Sequence, residues 1–153
     1  MHLAQLNIAK VRFDLESPEM SDFVNNLEPI NAIAEKSPGF IWRLKDETGD
    51  ATSIEVENNP DIIVNMSVWE SVESLKNFMF KTHHIDFLKR KKEWFVPLGE
   101  ASYVLWWIPE GHIPTVQEAV AKLEHLRENG ETQEAFSFKG NYAKLESAHT
   151  SNA

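Results

Sequence analysis

Between Ile62 and Phe95 the hydrophobic period changes twice. Residues 62–69, IIVNMSVW, are apolar and β-branched with polar insertions, the pattern of a strand. Alternation places Val64, Met66 and Val68 on one face and Asn65, Ser67 and Trp69 on the other. The first face is plain core. The second carries an amide, a hydroxyl and an indole, so it should meet something partly polar. After Trp69, the residues Val72, Leu75, Phe78 and Met79 recur at helical spacing, with Ser71 as the cap and Ser74 where a full capping box would have Glu. His83 and His84 interrupt the run. Ile85, Leu88 and Phe95 then resume the stripe, and Lys89 to Lys92 suits the C-terminal end of a helix, where the dipole favours cations.

The flanking segments follow the same logic. Residues 2–13 alternate, with Ala4, Leu6 and Ile8 on one face and Leu3, Gln5, Asn7 and Ala9 on the other. Ser17-Pro18-Glu19 starts a helix whose stripe is Met20, Phe23, Leu27, Ile30 and Ala34; Pro29 should kink or split it, and Ser37-Pro38-Gly39 ends it. Phe40 to Leu44 is a short strand, 46–50 and 58–61 are turns, and 51–56 is a further short strand. Ser102 to Ile108 is a strand with Tyr103, Leu105 and Trp107 opposite Val104, Trp106 and Ile108. Thr115-Val116-Gln117-Glu118 is a capping box, opening a helix that carries Val116, Val120, Leu123 and Leu126 and stops at Asn129-Gly130. Residues 135–138 pack back as strand or loop. From 139 to 153 the chain is polar and small without periodicity, the pattern of a disordered tail, which leaves residues 1–138 as a single domain. Strand, helix, strand, strand, helix, strand and an added C-terminal helix make an α+β, ferredoxin-like split β-α-β sandwich. Two helices cover one sheet face. The other, expected to carry Trp69, is left for a partner to cover, which predicts a dimer.

Composition narrows the function classes. The chain has 153 residues, enough for one real core, and no cysteine, which removes disulfides, thiolate nucleophiles and Cys-bound metal clusters. The same absence fits a reducing cytoplasm. No apolar run approaches the ~20 residues of a membrane span, and the N-terminus lacks the basic region and cleavage site of a signal peptide. A net charge of −9 disfavours broad contact with nucleic acid or anionic membrane. There is no GxGxxG, P-loop, GxSxG or HExxH pattern, so nucleotide, phosphoryl-transfer, hydrolase and zinc-protease readings have no support. Adjacent histidines diverge by about 100° on a helix and do not readily share one metal ion, so no metal site is expected.

Several motifs together carry a family resemblance: HLAQLNIA, SPGFIWRL, VNMSVWESVESL, LWWIPEGHIPTVQEA and LEHLRENG. With the His pair they resemble the antibiotic-biosynthesis-monooxygenase-like members of the dimeric α/β-barrel superfamily, and within it a bacterial family described only as a domain of unknown function. The resemblance covers about residues 2–138 and implies a homodimer in which two sheets close into a barrel that can hold a small molecule. Haem-degrading relatives place an Asn on the first strand and a Trp and a His on the second helix. Asn7 fits the first position, but Phe78 and Leu88 stand at the other two.

The mixed strand faces supply the candidate ligand-binding residues Gln5, Asn7, Arg43, Asn65, Ser67, Trp69 and Trp107, the last two as stacking surfaces for a flat ligand. His83 and His84 are the candidate general bases. Two readings stay open. One is a small-molecule barrel, as a cofactor-free oxygenase-like or isomerase-like enzyme on a small aromatic substrate, with Asn7 or Asn65 holding an enolate. The other is a non-catalytic binding or interaction module whose interior is filled by side chains. Haem binding is a further alternative.

Overall fold

A computed structural model describes residues 1–45, 61–82 and 84–139. The expected turn at 46–50, the strand at 51–56, most of the turn at 58–61, His83 and positions 140–153 lie outside these residues. The described elements are β1 (His2–Val11), α1 (Ser21–Lys36), β2 (Phe40–Arg43), β3 (Ile62–Trp69), α2 (Val72–Lys81), α3 (His84–Trp94), β4 (Phe95–Val96), β5 (Tyr103–Ile108) and α4 (Val116–Asn129). A single 3-10 turn, Pro18–Met20, leads into α1.

β1 is central. It pairs antiparallel with β3 on one side, in the register Gln5↔Ser67 and Asn7↔Asn65, and with β5 on the other, in the register Gln5↔Leu105 and Asn7↔Tyr103. β2 lies outside β3, and the two-residue β4 pairs with the far end of β1. The order β5-β1-β3-β2 is that expected of the split β-α-β arrangement. β4 was not legible, because Phe95 continues the apolar stripe of α3 and two residues show no period of their own.

Two local expectations turn out differently. Pro29 does not split α1, which is one helix from Ser21 to Lys36. Both Pro29 and Asn25, whose carbonyl loses its helical donor, are exposed, so water can replace the missing bond. The β1 strand stops at Val11 rather than continuing to Phe13. Gly39 sits at a positive φ of 86°, where a Cβ would collide with Ser74 of α2, so glycine alone fits where β2 begins against that helix.

The larger correction concerns the sheet faces. Trp69 lies on the face that α1 and α2 cover, in one cluster with Leu3, Ala34, Leu75, Phe78, Leu105 and Phe136. The opposite face, Ala4, Leu6, Ile8, Val64, Met66, Val68, Val104, Trp106 and Ile108, is covered by Ala119, Leu123 and Leu126 of α4. All nine of these sheet residues are buried within the one chain. Sheet exposure therefore gives no physical reason for a dimer. A third cluster, Met20, Phe23 and Trp94 with Leu27, Ile63, Phe87 and Phe95, packs the other end of the α1-covered face. Residues 135–138 pack back as expected: Leu105 and Phe136 exchange backbone bonds of 2.8 and 3.0 Å on the outer edge of β5.

Candidate functional site

On β3, Ile63 belongs to one apolar cluster and Trp69 to another; between them on the same face stand Asn65 and Ser67. On β1 the interval between Leu3 and Val11 holds Gln5, Asn7 and Ala9. The register sets these four polar side chains side by side. Gln5 and Ser67 are 9% and 7% exposed. Asn7 and Asn65 are exposed, although they point to the helix-covered side of the sheet. The helix layer is therefore not sealed there. Between the two apolar clusters the polar patch is open to solvent at its rim, Asn7 and Asn65, and buried at its floor, Gln5 and Ser67.

The floor is tightly bonded. Gln5 Nε2 donates to Asn65 Oδ1 at 2.6 Å and to Ser67 Oγ at 2.8 Å. Trp69 Nε1 donates to the same Ser67 Oγ at 2.8 Å. Buried polar groups cost stability unless paired, and these bonds explain why amides and a hydroxyl survive in a sheet that is otherwise apolar.

Of the candidate ligand residues, Gln5, Asn7, Asn65 and Ser67 are brought together; the others are not. Trp69 is fully buried, stacked on Phe78 at 5.3 Å and met edge-on by Phe40 at 5.4 Å, so its ring offers no surface to a flat ligand. Its contribution to the polar patch is the indole N–H that orients Ser67. Trp107 faces the same side but pairs with Leu3 and packs against Phe136, and its Nε1 is buried without a partner. Arg43 stands opposite Ser67 in register, but its Nε donates to Glu35 Oε1 at 2.8 Å. That bond, with help from Lys45, holds the Glu35 carboxyl below the ordinary carboxylate range.

His84 is not beside the amides either. Its ring packs against Phe78 at 4.8 Å, and Phe78 in turn stacks on Trp69, so two aromatic rings separate it from Ser67 in the chain of contacts. Burial pushes the His84 imidazole below its ordinary value, a bond between Nδ1 and the Met79 carbonyl at 3.3 Å opposing the shift. It is a neutral packing residue at neutral pH. Among the described residues, no titratable side chain bonds to Gln5, Asn65 or Ser67, and no group of three or more His, Asp or Glu is placed to hold a metal ion.

Two other features escaped the sequence reading. A half-open cleft of about 380 Å³ separates α1 from α3, lined by residues including Ile30, Phe87, Arg90 and Trp94. The other is a linked trio in which Glu118 accepts from Trp106 Nε1 at 2.9 Å and pairs with His112 Nε2 at 2.7 Å. Burial raises the Glu118 carboxyl, but these two bonds outweigh it and hold the group below the ordinary range. Thr115 caps α4 as expected, its Oγ1 accepting from the Glu118 N–H at 3.1 Å. The Glu118 carboxylate reaches away from the cap to Trp106 and His112, a link invisible in sequence because the partners are distant in the chain.

A four-column antiparallel sheet with α1 and α2 on one face, in the order β5-β1-β3-β2, defines a ferredoxin-like α+β protein, here with an added helix on the second face. The chain belongs to the family described as Domain of unknown function (DUF3291), whose model matches residues 2–152. No curated protein matches it. Among solved structures it is similar to a conserved protein from Methanosarcina mazei Go1, with a TM-score of 0.53 and 15% identity over 71% of this chain and 94% of that one. It is also similar to SnoaB, a cofactor-independent oxygenase from Streptomyces nogalater (0.50, 11%, 74% and 98%). A third such structure is Rv0793 from Mycobacterium tuberculosis (0.50, 10%, 73% and 100%). At these identities the likeness shows the fold alone. Among the described residues no helix is long and apolar enough to cross a membrane.

Proposed function

We propose that the polar patch of Gln5, Asn7, Asn65 and Ser67 forms a recess in which this protein binds a small organic molecule. One observation carries the reading: two asparagines on the helix-covered side of the sheet stay exposed, directly beside a bonded and buried amide–hydroxyl floor. A face meant only for packing would carry apolar residues there, as the opposite face of the same strands does. Binding without catalysis is the better supported form, because among the described residues no acid or base reaches the floor. The enzymatic form, a cofactor-free oxygenase-like or isomerase-like reaction on a small aromatic substrate, rests on fold likeness to proteins such as SnoaB, and fold alone does not carry a function. Haem has Asn7 in its favour and Phe78, buried against Trp69, against it; addition of haemin with no Soret shift would remove that alternative.

Cytoplasmic placement and homodimer assembly belong to the same proposal and rest on composition and family resemblance. Since α4 already covers the second sheet face, a dimer would use the outer surface of the chain. Sedimentation velocity at micromolar concentration tests it, and a monomer there would remove it. For the binding reading itself, the test is native mass spectrometry of protein purified gently from cells. A mass adduct that disappears on denaturation, and is absent from Asn7→Leu and Asn65→Leu, is the expected result. Wild type and variants without any adduct, with both variants clearly destabilised, would make the polar cluster a structural device.

A further inference from the structure

We infer that the recess selects a neutral ligand presenting a carbonyl oxygen beside an N–H, that is, an amide or lactam group, and that Ser67 is the donor that orients it. The inference rests on the ligand-site reading above and follows from which protons and lone pairs the network leaves unused. A hydroxyl has one proton and two lone pairs. Trp69 Nε1 and Gln5 Nε2 can only donate, and both reach Ser67 Oγ at 2.8 Å. Both lone pairs of Ser67 are thereby occupied, and its proton is confined to the one remaining tetrahedral direction. Among the described residues no acceptor takes it.

The same count applies to Gln5. Its amide nitrogen directs one proton to Asn65 Oδ1 and the other to Ser67 Oγ. Its Oε1 remains, and among the described residues no donor reaches it. The floor therefore holds one donor, the Ser67 O–H, and one acceptor, Gln5 Oε1, without a partner among the described residues, in residues that are 7% and 9% exposed. At the rim, Asn65 Oδ1 accepts from Gln5, and among the described residues its two N–H groups have no acceptor.

Ligand classes can be sorted against this inventory. A carboxylate or phosphate could accept from Ser67 and Asn65, but it brings acceptors alone and would set a negative oxygen against Gln5 Oε1. An ammonium group brings donors alone and would face the Ser67 proton. The nearby cation, Arg43, is held by Glu35, and among the described residues no charged side chain bonds to the floor. An amide or lactam brings one acceptor and one donor side by side and completes both. A water molecule can satisfy the same pair, so the experiment must separate the two.

The test uses the full-length 15N-labelled protein and reads the Trp69 indole N–H resonance, assigned by its loss in Trp69→Phe. That proton is bonded to Ser67 and reports directly on what Ser67 does. The probes are 2-pyridone, a flat lactam with adjacent C=O and N–H; N-methyl-2-pyridone, which keeps the acceptor and lacks the donor; and benzoate, an anion of similar size. The expected result is a saturable shift of the Trp69 resonance with 2-pyridone, about tenfold or more weaker binding of the N-methyl compound, and no response to benzoate. Ser67→Ala should abolish the 2-pyridone response. If that variant does not fold, the wild-type probe series decides the matter alone. Benzoate or N-methyl-2-pyridone acting as strongly as 2-pyridone would overturn the donor–acceptor assignment while leaving a ligand site in place. No response to any probe would mean that the recess holds water, and the ligand-site reading would fall with the inference.

Discussion

The two faces of the sheet use the same strands and reach opposite outcomes. On one, Leu6, Ile8, Val64, Met66, Val68, Val104 and Trp106 are buried in a single apolar cluster with Ala119, Leu123 and Leu126 of α4. On the other, the positions one residue along, Gln5, Asn7, Asn65 and Ser67, interrupt two apolar clusters with a bonded polar patch that reaches solvent. Alternation alone produces this division, since a strand sends neighbours to opposite sides. The first face needs no other molecule to complete it. The second leaves a hydroxyl proton and an amide oxygen without a protein partner among the described residues.

The contrast can be broken by substitution. Leu6→Ala, on the closed face, should cost about 2–5 kcal/mol, the usual range for a large-to-small change in a packed core. Urea unfolding measures it, and a loss well below that range would mean the α4 face is loosely packed. Ser67→Ala, on the open face, removes far less volume but orphans two N–H donors, from Trp69 and Gln5. It should cost about 1–3 kcal/mol in the same assay. Asn65→Leu and Asn7→Leu should change the stability of ligand-free protein by no more than about 0.5–1 kcal/mol, because both sites are exposed and the proton that Gln5 gave to Asn65 can turn to water. Large losses in both would make the asparagines structural.

The smallest effect is one of pH. Burial holds the folded His84 below its ordinary value near 6.5, so the unfolded chain takes up a proton first as the solution is acidified. The stability contributed by neutral His84 is present above that value and is lost as pH falls through it. Glu118, held below its ordinary value near 4.5, adds a loss of the same sign at lower pH. Melting temperature should thus decline as pH falls below 6.5, and His84→Leu should reduce that decline while leaving the loss below 4.5. An unchanged slope in the variant would place the titration elsewhere.

Much of this was legible in the sequence because it depends on period alone. The bounds of β3, the change to helical spacing after Trp69, the Ser71 and Thr115 caps and the stop at Gly130 all follow from local chemistry. So does the grouping of Gln5 with Asn7 and of Asn65 with Ser67. Which layer would cover which face was not legible: alternation divides residues into two sets without saying where α4 will land, and the face carrying Trp69 was consequently expected to be the open one. The position of His84 was also hidden. Adjacency to a helix end says nothing about which ring it meets, and Phe78 intercepts it before the amides. The capture of Arg43 by Glu35 depends on the packing of α1 beside β2, which no local pattern encodes.

The central claim, that the polar interruption is a ligand site, is tested most directly by an atomic-resolution crystal structure of the protein isolated with whatever it carries from the cell. The account predicts density larger than a water molecule, with one atom accepting from Ser67 Oγ and a neighbouring atom donating to Gln5 Oε1. A single ordered water on both groups, or an Asn7 and Asn65 pair folded in to close the recess, would contradict it.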